Sequence, residues 1–193
     1  MNRLIFATNN QHKLQEIRSI LGEKFQVDGL KDIGFNEDIA ETSHTLEGNA
    51  ILKARYIQRK YNTDCFADDT GLEIDALSGK PGVHSARYAG IECISENNIS
   101  KVLKEMQGVN ERNARFRTVI ALIKESKEFL FEGTVSGKII EGKRGKNGFG
   151  YDPIFIPDGD TRTFAEMPLD EKNQVSHRAA AINKLVTFLN NHG

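Results

Sequence analysis

The pattern of apolar and polar positions along the chain predicts strands interleaved with helices. Runs rich in β-branched and aromatic residues are typical of strands, and they occur at 3–7, 25–30, 64–69, 72–76, 114–124 and 129–140. Apolar residues spaced three and four positions apart indicate helices, and they recur over 14–21, 46–61, 95–106 and 176–189. We expect Thr45, Ser95 and Ser176 to cap three of these helices. The basic residues of the second helix are expected mostly on its solvent-exposed face or in its last turns: Lys53, Arg55, Arg59 and Lys60.

The order of these elements predicts an α/β fold with a mixed β-sheet. The early strand–helix units fit parallel pairing, whereas the runs 114–124 and 129–140, joined by a turn at 125–128, must pair as an antiparallel hairpin. Thr70-Gly71 is expected to be a turn between two short strands, and 79–82 a loop. No repeat, low-complexity tract or long linker divides the sequence, so we expect residues 1–193 to form a single domain.

Composition narrows the class of protein. The chain has 193 residues, of which 38% are hydrophobic and 27% charged, as in an ordinary soluble domain with a real core. A net charge of −1 gives no basic excess, so we expect no nucleic-acid partner. The two cysteines form no CxxC pair and predict reduced thiols. No window predicts a signal peptide or a membrane span, so we expect a cytoplasmic protein with no membrane partner.

The first candidate site is the polar turn Thr8-Asn9-Asn10, which joins the first strand to a helix that carries Lys13. A helix N-terminus offers free backbone N–H groups and the positive end of the helix dipole. Together with these side chains and Lys13, it would hold an anion. A well-capped helix with one surface lysine explains the same residues equally well.

The second candidate site is acidic and consists of the adjacent Asp68 and Asp69 with Glu41 upstream. Adjacent carboxylates repel each other, so both stay ionised most readily in water or beside a cation. Hard oxygen ligands of this kind suit Mg²⁺ or Mn²⁺. A solvated acidic turn at the end of a strand is the other interpretation of the Asp-Asp pair.

The third candidate set lies late in the chain and combines aromatic rings with hydrogen-bond donors. Phe149 or Tyr151 would stack on a base, worth about 1–3 kcal/mol per base, or Phe149 would instead fill the core beneath a loop. Lys172, His177 and Arg178 supply donors that suit carbonyl oxygens of a base, unless the last two are only first-turn residues of a helix. Together the three sets are the parts of a nucleoside triphosphate site. The chain contains no Walker A, GxGxxG, HExxH or GxSxG motif.

The chain resembles the inosine/xanthosine triphosphate pyrophosphatase family. Five blocks in the family's order carry the resemblance: ATNNQHKLQEI (7–17), ETSHTLEGNAILKA (41–54), FADDTGLEIDALSGKPGVHSARYAG (66–90), GFGYDPIF (148–155) and FAEMPLDEKNQVSHRAAA (164–181). One departure is His84, where the family more often has Tyr. The resemblance implies a long mixed sheet flanked by helices, two lobes with the active site in the groove between them, and a homodimer.

The resemblance also implies a role for each candidate residue. Asp69 is the implied catalytic base and a metal ligand, and Glu41 and Asp68 are the other implied ligands of Mg²⁺, for which Mn²⁺ can substitute. The implied substrate-binding residues are Thr8, Asn9, Asn10, Lys13, Thr70, Phe149, Gly150, Tyr151, Asp152, Lys172, His177 and Arg178.

The activity that follows from the resemblance is hydrolysis of ITP, dITP or XTP to the monophosphate and pyrophosphate, by attack of water on the α-phosphorus. Such an enzyme keeps deaminated purine nucleotides out of the precursor pools of DNA and RNA. Two alternatives stay open at this point. One is a metal-dependent phosphatase that removes the terminal phosphate, and the other is a purine nucleotide sensor that binds without turnover.

Overall fold

A computed structural model of the chain describes residues 2–191, which form seven strands and five α-helices. The strands are β1 (Asn2–Phe6), β2 (Phe25–Asp28), β3 (Cys65–Ile74), β4 (Lys80–Gly82), β5 (Asn113–Lys124), β6 (Lys127–Ile139) and β7 (Phe155–Pro157). The helices are α1 (Gln11–Leu21), α2 (Leu46–Tyr61), α3 (Ser95–Glu105), α4 (Leu169–Val175) and α5 (His177–Asn191). No helix within this part of the chain is long and apolar enough to cross a membrane.

The strands form one mixed sheet in the order β2-β1-β3-β5-β6-β7, and β4 pairs with β3 outside that order. β1 runs parallel to both of its neighbours, β2 and β3. β4 is antiparallel to β3, and β7 is antiparallel to β6. The predicted α/β fold with a mixed sheet is therefore confirmed.

β5 and β6 are consecutive strands and neighbours in the sheet, as the predicted hairpin requires. The turn between them is shorter than predicted, because it contains only Glu125 and Ser126. Both residues have positive φ angles, 51° and 63°. This geometry is that of a type I′ turn, whose twist matches that of the flanking strands. The side chain of Asp64 accepts a hydrogen bond from the backbone N–H of Glu125 at 2.9 Å, which satisfies one donor of the turn.

The chain divides into two compact units, each with its own core. Unit 1 comprises residues 2–69, 118–133 and 178–191, and unit 2 comprises 70–117 and 134–177. In unit 1, the rings of Phe6 and Phe66 stack at a centroid distance of 4.7 Å within one of two apolar clusters. In unit 2, a single cluster contains Phe116, Phe155 and Phe164. Two compact units agree with the two lobes that the resemblance implies.

The predicted turn at Thr70-Gly71 is wrong, because β3 continues without a break from Cys65 to Ile74. Gly71 allows the close approach of β4, since a Cβ atom at this position would lie 2.7 Å from the carbonyl oxygen of Gly82. The predicted loop at 79–82 is also largely wrong, because most of it forms strand β4, which pairs with β3. Asp68 and Asp69 therefore lie in mid-strand and are only 1% and 7% exposed, so the solvated-turn interpretation is wrong.

The predicted helix starts are partly confirmed. Thr45 caps α2, because its hydroxyl oxygen accepts a hydrogen bond from the backbone N–H of Gly48 at 3.1 Å. Ser95 is not a cap, because it is already the first residue of α3 and Ile94 precedes it as N-cap. α5 begins at His177, directly after Ser176. Helix α4 was not predicted, because its seven residues are too few to show an apolar periodicity.

Candidate active site

The polar turn after β1 is built around the cap of α1. The side-chain oxygen of Asn10 accepts hydrogen bonds from the backbone N–H groups of His12 and Lys13, at 3.0 and 3.2 Å. The hydroxyl oxygen of Thr8 accepts a hydrogen bond from the backbone N–H of Asn10 at 3.1 Å. The turn is thus held in one conformation by its own side chains, and it places Lys13 in the first turn of α1.

Asn9 connects this turn to the acidic segment that follows β2. Its side-chain amide donates hydrogen bonds to the carbonyl oxygen of Glu37, at 3.2 Å, and to the carboxylate of Asp38, at 3.4 Å. The same segment continues to Glu41, one of the predicted metal ligands. Asn9 therefore joins the polar turn at 8–10 directly to the segment that carries Glu41.

A network of four charges, three of them buried, lies beside the turn in unit 1. The ammonium of Lys13 donates to one oxygen of the Asp68 carboxylate at 2.9 Å. The guanidinium of Arg178 donates to the other oxygen at 3.3 Å, and it also donates to the carboxylate of Glu16. Two cations thus face two carboxylates, and Asp68 stands between Lys13 and Arg178.

The pKa values in this network follow from burial and pairing. Burial opposes the ionisation of Asp68, but the positive charges of Lys13 and Arg178 outweigh it and hold the pKa of Asp68 well below its usual value. Burial lowers the pKa of Lys13, an effect that Asp68 only partly offsets. Asp68 is therefore an anion that holds Lys13 in place.

The other two acids, Glu41 and Asp69, both contact the ammonium of Lys53. The ammonium of Lys53 lies 2.6 Å from a carboxylate oxygen of Glu41 and 3.8 Å from a carboxylate oxygen of Asp69. Burial raises the pKa of Asp69, and the charge of Glu41 adds to that effect against the opposing charges of Lys53 and Lys13. Burial alone would lower the pKa of Lys53, but Asp69 and Glu41 outweigh it, so that this pKa is raised.

Helix α2 supplies a second contact to the same acid. The side-chain amide of Asn49, which is fully buried, donates a hydrogen bond to Asp69 at 3.1 Å. The side-chain oxygen of Asn49 accepts a hydrogen bond from the backbone N–H of Ser43 at 2.9 Å. Asn49 and Lys53 are one helical turn apart and therefore lie on the same face of α2.

Sequence reasoning did not identify Glu16, Asn49 or Lys53 as site residues. Lys53 departs from the expectation that the basic residues of α2 lie mostly on its solvent-exposed face or in its last turns, because its side chain is only 12% exposed. The available signal was the spacing of Asn49 and Lys53, which puts an amide and an ammonium on one face of a helix that follows an acidic segment.

The metal-ligand prediction concerns Glu41, Asp68 and Asp69. Among residues 2–191, no three or more His, Cys, Asp and Glu side chains form a group that could hold a metal ion. Glu41 and Asp69 nevertheless both contact one cation, the ammonium of Lys53. A pair of carboxylates fits Mg²⁺, which usually takes one or two protein carboxylates and completes its shell with water and substrate phosphates. Asp68 already has two cationic partners, so Glu41 and Asp69 fit a metal better than Asp68 does.

In unit 2, the third predicted set is organised by the carboxylate of Asp152. Its Oδ2 atom accepts a hydrogen bond from the backbone N–H of Phe149 at 2.9 Å and one from the ammonium of Lys172 at 2.6 Å. That ammonium also lies 5.2 Å from the centre of the Phe149 ring, within cation–π range. Phe149 is partly exposed, so the core-filling interpretation does not describe it. Lys172, Asp152 and Phe149 are thus brought together as predicted.

Two other members of this set are packed into the core of unit 2. Tyr151 is buried, and its hydroxyl donates a hydrogen bond to the carbonyl oxygen of Ser85 at 2.8 Å. The His177 ring stacks on Phe116 at a centroid distance of 4.6 Å. These placements favour Phe149 over Tyr151 as the ring that stacks on a base. The base-reading roles of His177 and Arg178 stay predictions.

The loop that carries Phe149 depends on glycine at position 148. Gly148 has a φ angle of +71°, and a Cβ atom there would lie 2.1 Å from the carboxylate of Asp152. Gly150 also has a positive φ angle, +60°. The predicted substrate-binding residue Gly150 therefore serves the loop through its backbone conformation.

The comparison with known families decides where this chain is classified. The model of the Ham1 family matches residues 4–188, which is almost the whole chain. The chain belongs to the Ham1 family. Curated relatives named dITP/XTP pyrophosphatase agree with this assignment, so the resemblance drawn from the sequence blocks is confirmed.

The Ham1 relatives match over nearly their full length. The dITP/XTP pyrophosphatase of Porphyromonas gingivalis is 54% identical over 190 residues, 98% of each chain. That of Flavobacterium johnsoniae is 51% identical over 187 residues, 97% of each chain. Among solved structures, the Ham1 protein of Staphylococcus aureus matches with a TM-score of 0.89 and 40% identity, over 100% of both chains. The fold described above is thus that of the Ham1 proteins.

The network around Asp68 leads to a prediction about stability. Asp68→Asn removes the charge that pairs with Lys13 and Arg178, so we expect the free energy of unfolding at pH 7 to fall by about 3–5 kcal/mol. Because the folded pKa of Asp68 is depressed, its contribution is present above the ordinary aspartate pKa and is lost as the pH falls. The stability gap between wild type and variant should therefore narrow between about pH 5 and pH 3.

Urea unfolding at pH 7 measures the first effect, and urea unfolding from about pH 5 to pH 3 measures the second. Asp158→Asn, at an exposed position of unit 2, is the matched control and should change the free energy of unfolding by less than about 0.5 kcal/mol. A gap between wild type and Asp68→Asn that stays constant or widens in acid would contradict the assigned role of Asp68.

Proposed function

We propose that this Ham1-family chain hydrolyses ITP, dITP and XTP to the monophosphate and pyrophosphate. The observation that carries the proposal lies within unit 1. Two carboxylates, the buried Asp69 and the partly exposed Glu41, share Lys53, and the polar turn at 8–10 belongs to the same unit as Lys13. The names of the relatives supply the class of substrate and the reaction. The proposed role in the cell is to keep deaminated purine nucleotides out of nucleic acid precursors.

The turn of Thr8, Asn9 and Asn10 with Lys13 binds the triphosphate in this proposal. The hydrogen bonds of Asn10 and the pairing of Lys13 with Asp68 hold these groups in place before substrate arrives. Positioning and fixed charge supply most of the catalysis in phosphoryl transfer. Asp68 therefore acts as a positioning residue for Lys13.

Asp69 is the proposed base that orients or deprotonates the attacking water. Its raised pKa and its hydrogen bond from Asn49 suit this role, because a base works best when it is held still and when its pKa lies nearer the working pH. A positioned base of this kind contributes about 10²–10⁴-fold to the rate. Water attacks the α-phosphorus, and pyrophosphate leaves with the electrons of the broken P–O bond.

Glu41 and Asp69 are the proposed ligands of Mg²⁺, for which Mn²⁺ can substitute. When bound, the metal ion supplies positive charge that offsets the negative charge of the phosphates and of the leaving group.

The purine is assigned to the set around Asp152 in unit 2. Phe149 stacks on the base, and Lys172, held by Asp152, donates to a carbonyl oxygen such as the 6-oxo group. Adenine presents a 6-amino donor at that position, which leaves the Lys172 donor without an acceptor. Thr70 and His177 stay in the proposed substrate-binding set. Gly150, Tyr151 and Arg178 serve it indirectly in this proposal, through the loop conformation, the hydrogen bond to Ser85 and the pairing with Asp68.

The proposal includes a homodimer that works in the cytoplasm. Nucleotide precursor pools lie there, and the free thiols of Cys65 and Cys93 suit a reducing compartment. Light scattering on the purified protein tests the dimer, because it measures the mass in solution directly.

The deciding experiment measures the products formed from ITP, XTP, GTP and ATP with Mg²⁺ present. IMP and pyrophosphate from ITP, with ATP nearly unreacted, are the expected result. Orthophosphate as the first product would place the attack at the γ-phosphorus and support a phosphatase. Binding of ITP without turnover would support a nucleotide sensor instead.

Asp69→Asn should leave the fold intact and reduce kcat for ITP by at least about 10²-fold, because the base is lost. Circular dichroism and the rate of IMP release measure the two effects. Asp158→Asn, which removes a charge from an exposed position of unit 2, is the comparison variant and should retain a substantially higher kcat. An Asp69→Asn enzyme with most of the wild-type kcat would show that Asp69 is not the base.

Lys172→Met should reduce the preference for ITP over ATP by about 10–100-fold, because a charged donor to the base is lost. The kcat/KM values for both nucleotides measure the preference, and inhibition by pyrophosphate reports the phosphate-binding turn separately. An equal loss for ITP, XTP and ATP would count against a base-reading role.

A further inference from the structure

Lys53 lies where a cation would be expected between two acids. Its ammonium is 2.6 Å from Glu41 and 3.8 Å from Asp69, and only 12% of its side chain is exposed. Two carboxylates that converge without a cation would repel each other. The Lys53 ammonium therefore neutralises part of this repulsion within the protein itself.

Helix α2 fixes this arrangement from one face. Asn49 joins Asp69 to the backbone of Ser43, and Lys53 joins Asp69 to Glu41. Both residues thus connect strand β3 to the segment at 41–43. The contacts of Asn49 and Lys53 therefore hold the two carboxylates in position.

We propose that Lys53 is a resident cation that holds Glu41 and Asp69 in place, and that a divalent metal must compete with it for these carboxylates. The inference rests on the proposed function, in which the same carboxylates hold Mg²⁺. A divalent ion that approaches them meets the positive charge of Lys53 at short range, so the metal binds weakly to the protein without nucleotide. The negative triphosphate offsets that charge, which links metal binding to the arrival of substrate.

The test measures Mn²⁺ binding to the nucleotide-free protein by the electron paramagnetic resonance signal of the free ion. Lys53→Met removes the competing charge and should lower the Kd for Mn²⁺ by about tenfold or more. Lys60→Met is the matched control, because Lys60 lies on the same helix and pairs at 2.7 Å with Glu37, away from Asp69. It should change the Kd by less than about twofold, as expected for an exposed ion pair.

A second variant separates charge from packing. Lys53→Arg keeps the positive charge and should bind Mn²⁺ as weakly as the wild type. An unchanged or higher Kd in Lys53→Met overturns the inference, and so does an equal gain in Lys53→Arg. Thermal unfolding gives an independent readout, since Mn²⁺ should raise the Tm of Lys53→Met more than that of wild type. If Lys53→Met does not fold, Lys53→Gln removes the same charge and retains a hydrogen-bond donor.

The product assay on the wild type distinguishes this inference from the proposed function. Tighter Mn²⁺ binding by Lys53→Met, with no IMP formed by the wild type, supports the role of Lys53 and removes the proposed activity. IMP and pyrophosphate from the wild type, with equal Mn²⁺ affinity in both proteins, supports the activity and overturns the role of Lys53.

Discussion

The candidate site in unit 1 depends on the buried carboxylate of Asp68. An isolated charge in the interior costs several kcal/mol of desolvation, roughly, so it persists there only with partners of opposite charge. Lys13 and Arg178 supply them, from residues 55 and 110 positions away in the chain. Glu16 balances the second cation, so the four charges compensate one another. Strand β3 and helices α1 and α5 are thereby tied together at one point.

This compensation explains why two neighbouring aspartates have opposite properties. Asp68 has two cationic partners, and its pKa is depressed. Asp69 is also buried, but it shares Lys53 with Glu41, and its pKa is raised. The alternation of side chains along a strand sends the two carboxylates to opposite faces, where they meet different neighbours. One acid can therefore be structural while the next is suited to chemistry.

The sequence predicted best the features that depend on neighbours in the chain. The caps of α1 and α2, the mixed sheet and the hairpin of β5 and β6 all follow from short-range patterns. The prediction of a turn at Gly71 was wrong because this glycine lets the backbone of Gly82 come close. That contact becomes visible only once β3 and β4 are paired. The expected exposure of Lys53 was also wrong because of distant contacts, since its partners Glu41 and Asp69 lie 12 and 16 residues away in the chain. The family blocks identified most candidate residues, but not which of them pair.

The contacts of α2 also limit how the length of the chain can vary. Asn49 and Lys53 reach Asp69 together only because four residues advance the helix by slightly more than one full turn. Each inserted or deleted residue between them would rotate one side chain by about 100° away from the other. Substitutions at the intervening positions leave that phase unchanged. The spacing between these two residues is therefore under a stricter geometric constraint than the identity of the three residues that separate them.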